Sequence, residues 1–271
     1  MNPLPSFSAS WKKTLCVSFF ASVLFLGQSL SAAQPGEVRI TRVVKDVKLS
    51  SPQAAPRSAN LGSIVDGGTT IRTGAKSRSE LTLVDQAIAR LGANTSVRLA
   101  DGGRTLNLDE GAILFEIPRG SAHLQIGTGT ILAASNGATG LIERHSHFYV
   151  KIMLLEGEVR VSVPNHVGES IVIGAGQILI TKPDVTSLPD PVHFDIARVM
   201  KTCQLVSEFR PLASKDLIER EEQKQVSLTS KGTYIPSNLV IFGRGTLVTL
   251  VPPQPTVPNE HKTTRNPEPT N

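Results

Sequence analysis

Between about Glu37 and Thr181 the sequence predicts an all-β domain. Apolar residues recur two apart at Leu81/Leu83, Val97/Leu99, Leu106/Leu108 and Leu124/Ile126, then at Val159/Val161/Val163, Ile171/Ile173 and Ile178/Ile180. That period places each set on one face of a half-buried strand. Asp66-Gly67-Gly68, Asp101-Gly102-Gly103 and Gly174-Ala175-Gly176 interrupt the pattern as turns that need positive φ. No stretch of helical period falls between these segments. Such strands either stack as a β-solenoid or close as a sandwich or barrel. Val65-Asp-Gly-Gly-Thr-Thr-Ile71 and Ala100-Asp-Gly-Gly-Arg-Thr-Leu106 echo each other at a spacing of 35 residues, which favours stacked strands.

The residues ahead of this domain read as an address. Lys12 and Lys13 precede an apolar run, Leu15 to Leu26, and Ser31-Ala32-Ala33 supplies small residues for cleavage, so residues 1–33 form a secretory signal peptide. The run is shorter than the ~20 residues a membrane helix needs. After cleavage no membrane span is expected, and the protein is periplasmic or secreted. Cys16 leaves with the peptide, so Cys203 remains as the single cysteine. It falls on the apolar side of a helical pattern and reads as a buried structural thiol with no intrachain disulfide to make.

Behind the β-domain, which spans residues 34–182, a proline-marked linker leads into a helical segment at 190–225. Asp190-Pro191 offers a capping carboxylate ahead of a first-turn proline. Ile196, Val199, Met200, Cys203 and Val206 follow as one apolar stripe. Pro211 ends that helix, and Ser214 can cap a second, charged one. The expected role is a cover over β edges or faces. Residues 232–251 hold two apolar runs around Gly243-Arg-Gly245, a β-hairpin signature. The tail at 252–271 is rich in proline and poor in apolar residues, and should be disordered.

Composition narrows the function classes. With 28 Lys+Arg against 23 Asp+Glu and aromatic residues at 4%, the chain lacks the basic groove with stacking platforms that nucleic acid requires. The net positive excess is mild, and by itself points to no polyanion. There is no phosphate-binding glycine loop ahead of a helix and no glycine-flanked serine elbow. Glu156 and Glu158 lie two apart, yet the Glu-Gly-Glu sequence reads as a solvated turn. Asn94-Thr95-Ser96 is a formal glycosylation sequon.

Several segments in order carry a family resemblance. Leu61-Gly-Ser-Ile-Val-Asp-Gly-Gly-Thr-Thr-Ile-Arg-Thr-Gly74, Ser79 to Asp85 and Ala89 to Leu99 resemble the opening of the FecR-type domain. Leu106 to Ile117, with Glu110-Gly111-Ala112, is similar to its middle segment. Leu154 to Val161 and Val172 to Gln177 resemble its closing pair. The resemblance covers about 37–181. It implies an extracytoplasmic, β-solenoid-like or β-roll domain that relays a signal by protein contact, without catalysis or cofactor. The family's best-known member carries a sigma-factor-binding segment and a membrane span ahead of this domain, where a signal peptide stands here. Thr139-Gly140-Leu-Ile142 also departs from an expected Gly-Thr turn.

A second resemblance, to a cupin barrel, rests on His145, His147 and His166. Two histidines at i and i+2 on a strand share a face, and a third could complete a metal site for a metal-dependent enzyme. The carboxylate expected shortly after His147 is missing, so no metal site is assigned. The expected function is an exported, non-enzymatic binding, relay or scaffold module that meets an envelope protein or a glycan.

Overall fold

The computed structural model describes residues 37–145 and 147–232. The chain runs through β1 (Val38–Val44), β2 (Val47–Ser50), β3 (Arg57–Ser58), β4 (Ile64–Val65), β5 (Thr70–Thr73), β6 (Arg78–Thr82), β7 (Ile88–Leu91) and β8 (Ser96–Ala100). Then come β9 (Thr105–Ile117), β10 (Leu124–Gly127), β11 (Leu132–Ser135), β12 (Ala138–His145), β13 (Tyr149–Ser162), β14 (Ser170–Gly174), β15 (Gln177–Thr181) and β16 (Val192–His193). Helices α1 (Ile196–Thr202), α2 (Gln204–Ser207) and α3 (Lys215–Ser230) follow. The signal peptide at 1–33, most of the hairpin at 232–251 and the tail at 252–271 lie outside the described residues.

The strands form two layers that share members. One layer has the order β4-β1-β6-β7-β9-β12-β13-β15-β16. The other is β3-β2-β5-β8-β9-β10-β11-β13-β14. All of these pairings are antiparallel except β9–β10. Because β9 and β13 belong to both layers, β9, β12, β13, β11 and β10 close into a five-strand barrel. The all-β expectation is met, and over these strands the barrel alternative is realised where stacking as a solenoid was expected first. The 35-residue echo is no structural repeat either. Its first copy turns from β4 in one layer to β5 in the other, while its second turns from β8 straight back along β9.

Two glycines make the shared strands possible. Gly111 bends β9 at φ +94°, and a Cβ there would lie 2.3 Å from Thr95 Oγ1. Gly157 bends β13 at φ +79°, with its virtual Cβ 2.6 Å from the Gly137 carbonyl oxygen. Both the left-handed conformation and the close backbone approach demand glycine.

Alternation then sorts the side chains. Ile40, Leu81, Val97, Leu106, Ile113 and Ile152 fill the space between the layers and are fully buried. Each such burial contributes about 1.5–3 kcal/mol. The opposite face of the first layer is buried as well. Leu114, Leu141, Met153, Leu155 and Ile178 pack there against Phe194, Ile196, Val199, Leu205, Phe209 and Ile218. The run Met153-Leu154-Leu155 is therefore apolar on both faces, as a doubly covered strand must be. The helical segment is the cover expected, though it begins later than Asp190. Val192 and His193 pair with Ile178 and Gln177 as β16. Asp195 caps α1 instead, accepting the Arg198 N–H at 3.0 Å. Among the described residues no helix is long and apolar enough to cross a membrane.

Candidate functional site

The covered face carries charge as well as hydrocarbon, in three groups across the strands. At one end Glu80 on β6 stands opposite Arg90 on β7. Arg90 is 1% exposed; its Nε donates to Glu80 Oε2 at 2.9 Å. Its Nη1 donates to the Leu205 carbonyl at 3.0 Å and its Nη2 to the Arg210 carbonyl at 2.7 Å. The Phe209 ring lies between two guanidinium groups, 4.9 Å from Arg90 and 5.0 Å from Arg42. One buried arginine thus ties two sheet strands to the chain between α1 and α3. A planar guanidinium with five donors suits that task better than a lysine.

The middle group is a bridged acid pair. Register sets Thr139 on β12 between Glu116 on β9 and Glu156 on β13. Thr139 Oγ1 lies 3.0 Å from Glu156 Oε1 and 2.8 Å from Ser214 Oγ, within hydrogen-bonding reach of both. The Ser214 N–H donates to Glu116 Oε1 at 2.6 Å. Ser214 is the N-cap of α3, so Glu116 accepts from the capping residue of that helix. The second oxygen of each carboxylate is buried without a hydrogen-bond partner. Arg119, largely exposed, reaches Glu156 Oε2 at 3.6 Å. Burial raises the Glu156 carboxyl above its ordinary value; Thr139 and Arg119 oppose that rise and Glu116 adds to it.

The third group joins Glu143, Lys151 and Tyr149. Lys151, 2% exposed, pairs with Glu143, and the Tyr149 hydroxyl donates to the same carboxylate at 2.9 Å. Burial first, and the Glu143 charge second, push the Tyr149 hydroxyl upward. Cys203 sits between α1 and α2, half-buried against this apolar layer, and burial raises its thiol. The structural role expected for it fits this placement.

Sequence reading passed over Glu80, Arg90, Glu116, Glu143 and Lys151, because nothing next to them in the sequence marks them as buried. The available signal was the double-faced apolar run of β13, which requires a cover and so buries whatever charges share its outer face. For Glu156 the expectation of a solvated Glu-Gly-Glu turn is corrected. Glu156 is 2% exposed beneath the helices, whereas Glu158, beyond the Gly157 bend, is exposed on the other layer.

The three histidines are not brought together. β12 ends at His145, whose ring packs edge-on to Phe148 at 4.6 Å. His147 is exposed in the following turn, so the shared strand face expected for the pair does not exist. His166 is exposed in the turn between Val163 and Glu169. Among the described residues no group of three His, Cys, Asp or Glu side chains could hold a metal ion. Thr139-Gly140 forms strand rather than turn. β12 slips register there, and a Cβ on Gly140 would lie 2.5 Å from the Met153 carbonyl oxygen.

Among the described residues nothing covers the outer face of the second layer. Lys48, Arg72, Arg98, Asp109, Glu158 and Arg160 are exposed on it. Among the described residues β14 is the last strand of this layer, unpaired on its outer side at Ser170 and Val172, while the Gly174 N–H is taken by Gln177 Oε1 at 2.8 Å.

Comparison with known proteins bears on the strands just described. Residues 69–160 match the family described as FecR protein. No curated protein matches the chain. Two crystal structures of a candidate anti-sigma factor from Parabacteroides distasonis, at 1.65 and 2.50 Å resolution, align at 15% and 14% identity with a TM-score of 0.42 each. Each alignment covers 48% of this chain and 62% of that one. The family match begins just ahead of β5, ends within β13 and lies inside the stretch whose residues carry the resemblance: the segment 69–160 is a FecR-type domain.

Proposed function

We propose that this chain is an exported, non-enzymatic signal-relay module of FecR type, working in the cell envelope by contact with another protein. The FecR match over residues 69–160 carries this reading. The disposition of the buried polar groups supports it: Arg90, Glu116, Thr139 and Ser214 hold the helical segment to the sheet. Among the described residues the second layer's outer face and the β14 edge are uncovered, and edge strands offer main-chain pairing. The basic, apolar and small-residue order of residues 1–33 supports export to the periplasm or beyond.

Photo-crosslinking in the intact envelope tests the reading. Photoreactive side chains at Ser96 on the open layer, Val172 on the edge and Arg220 on α3 should include at least one position that yields a protein adduct. Absence of protein adducts from all three, with glycan adducts in their place, would move the function to the glycan reading. Intact mass of the exported chain should show loss of residues 1–33.

A further inference from the structure

Lys48, Arg72 and Arg98 stand together, exposed, on the outer face of the second layer. Lys48 on β2 is directly opposite Arg72 on β5, and Arg98 on β8 is opposite Thr70, diagonal to Arg72. Their inward neighbours Val47, Leu49, Ile71, Val97 and Leu99 are buried, so strand alternation sends all three cations outward, where they are exposed. Like charges placed directly across a strand pair destabilise the sheet. The chain does little to relieve this. Lys48 meets Asp46 at 3.9 Å, an exposed pair worth little. Among the described residues Arg72 and Arg98 make no ion pair. Asp109 on β9 accepts from the Ser96 hydroxyl at 3.5 Å.

Resting on the relay reading above, we propose that this face, through Lys48, Arg72 and Arg98, docks an acidic segment of the protein partner. Arginine forks match carboxylates in a bidentate manner, and the cluster supplies two of them beside a flexible ammonium. The residues between the cations, Thr70 and Ser96, are small and polar, leaving room for a chain to lie across the strands. An anionic membrane is the poorer fit. None of the exposed large apolar side chains lies on β2, β5 or β8, and surface helices and segments that bind lipid add apolar insertion to their charge. Polybasic lipid sites also draw on larger clusters, about 4–8 cations. The mild net charge of the whole chain conceals this local concentration.

The test uses the full exported chain and a labelled oligoglutamate peptide. Binding should weaken with salt and fall about tenfold in a Lys48→Gln, Arg72→Gln, Arg98→Gln triple variant. A charge-matched Lys215→Gln, Arg220→Gln, Lys224→Gln variant on α3 should retain binding, and the first variant, relieved of the repulsion between Lys48 and Arg72, should melt no lower than the parent. Equal loss in the two variants would reduce the effect to net charge and overturn the proposal. Tighter binding to phosphatidylglycerol vesicles than to peptide, lost in the first variant, would make the face a lipid site and overturn it too. In the envelope, the Ser96 adduct should be a protein and should vanish in the first variant. Protein adducts from Arg220 or Val172 alone would sink the acidic docking face while leaving the relay reading intact. Absence of protein adducts from all three positions sinks the relay reading itself.

Discussion

The Ser214 backbone N–H donates to Glu116 Oε1 at 2.6 Å, across 98 residues of chain. This contact seats the first turn of α3 on β9, and Thr139 links the same serine to Glu156 two strands away from Glu116. The helical segment is therefore an integral layer of the β-domain, held by specific polar contacts as well as by hydrocarbon.

Glu156 makes stability depend on pH in a defined direction. Burial raises its folded-state value above the ordinary one near 4.5, so the folded chain holds this proton more tightly than the unfolded chain does. The resulting stabilisation is fully present below the unfolded value and is lost as pH rises through the folded value. Glu156→Gln should remove that fall, giving a stability difference from the parent that grows from acidic to neutral pH. Chemical denaturation of both proteins across that range measures it; a constant difference would show that Glu156 does not titrate there.

Removing Arg90 should loosen the cover. Arg90→Met leaves Glu80 buried beside Arg210, an exposed partner at 3.6 Å, and strips hydrogen bonds from the Leu205 and Arg210 carbonyls. Loss of one partner of a buried ion pair costs about 3–5 kcal/mol. The double variant Glu80→Gln, Arg90→Met should recover part of that. Limited proteolysis should cut the single variant first within residues 194–230.

The bends separate two kinds of glycine. Gly111→Ala adds a methyl 2.3 Å from Thr95 Oγ1 at φ +94°, so it should prevent or strongly impair folding. Gly102→Ala, at φ +61° with nothing within 4 Å of the new carbon, should cost about 1 kcal/mol. Thermal melts of the two variants compare them directly.

Cys203 should be slow to react. Burial raises its thiol, and the thiolate is the reactive form. Alkylation at neutral pH should be markedly faster in denaturant than in the native protein.

Much of the strand layout was legible in the sequence, because alternation and glycine turns are local. Leu81, Val97, Leu106 and Val161 all face the core between the layers, as their spacing implies. The closure was not legible. It depends on Gly111 and Gly157 bending single strands through two layers, and one glycine within a strand reads the same whether it marks a turn or a bend. The start of α1 was misplaced for a comparable reason. Asp190 and Asp195 are equally good caps in sequence, and only the pairing of Val192 with Ile178 decides between them. The buried charges stayed hidden because their burial comes from helices distant in sequence, beginning at Ile196.

The passage of β9 and β13 through both layers has a mechanical consequence. Two stacked sheets joined only by side chains can shear past one another, but here two continuous backbones rivet them together at Gly111 and Gly157. A pull on the outer face of the second layer would pass along the covalent backbones of β9 and β13 to the strands beneath the helices.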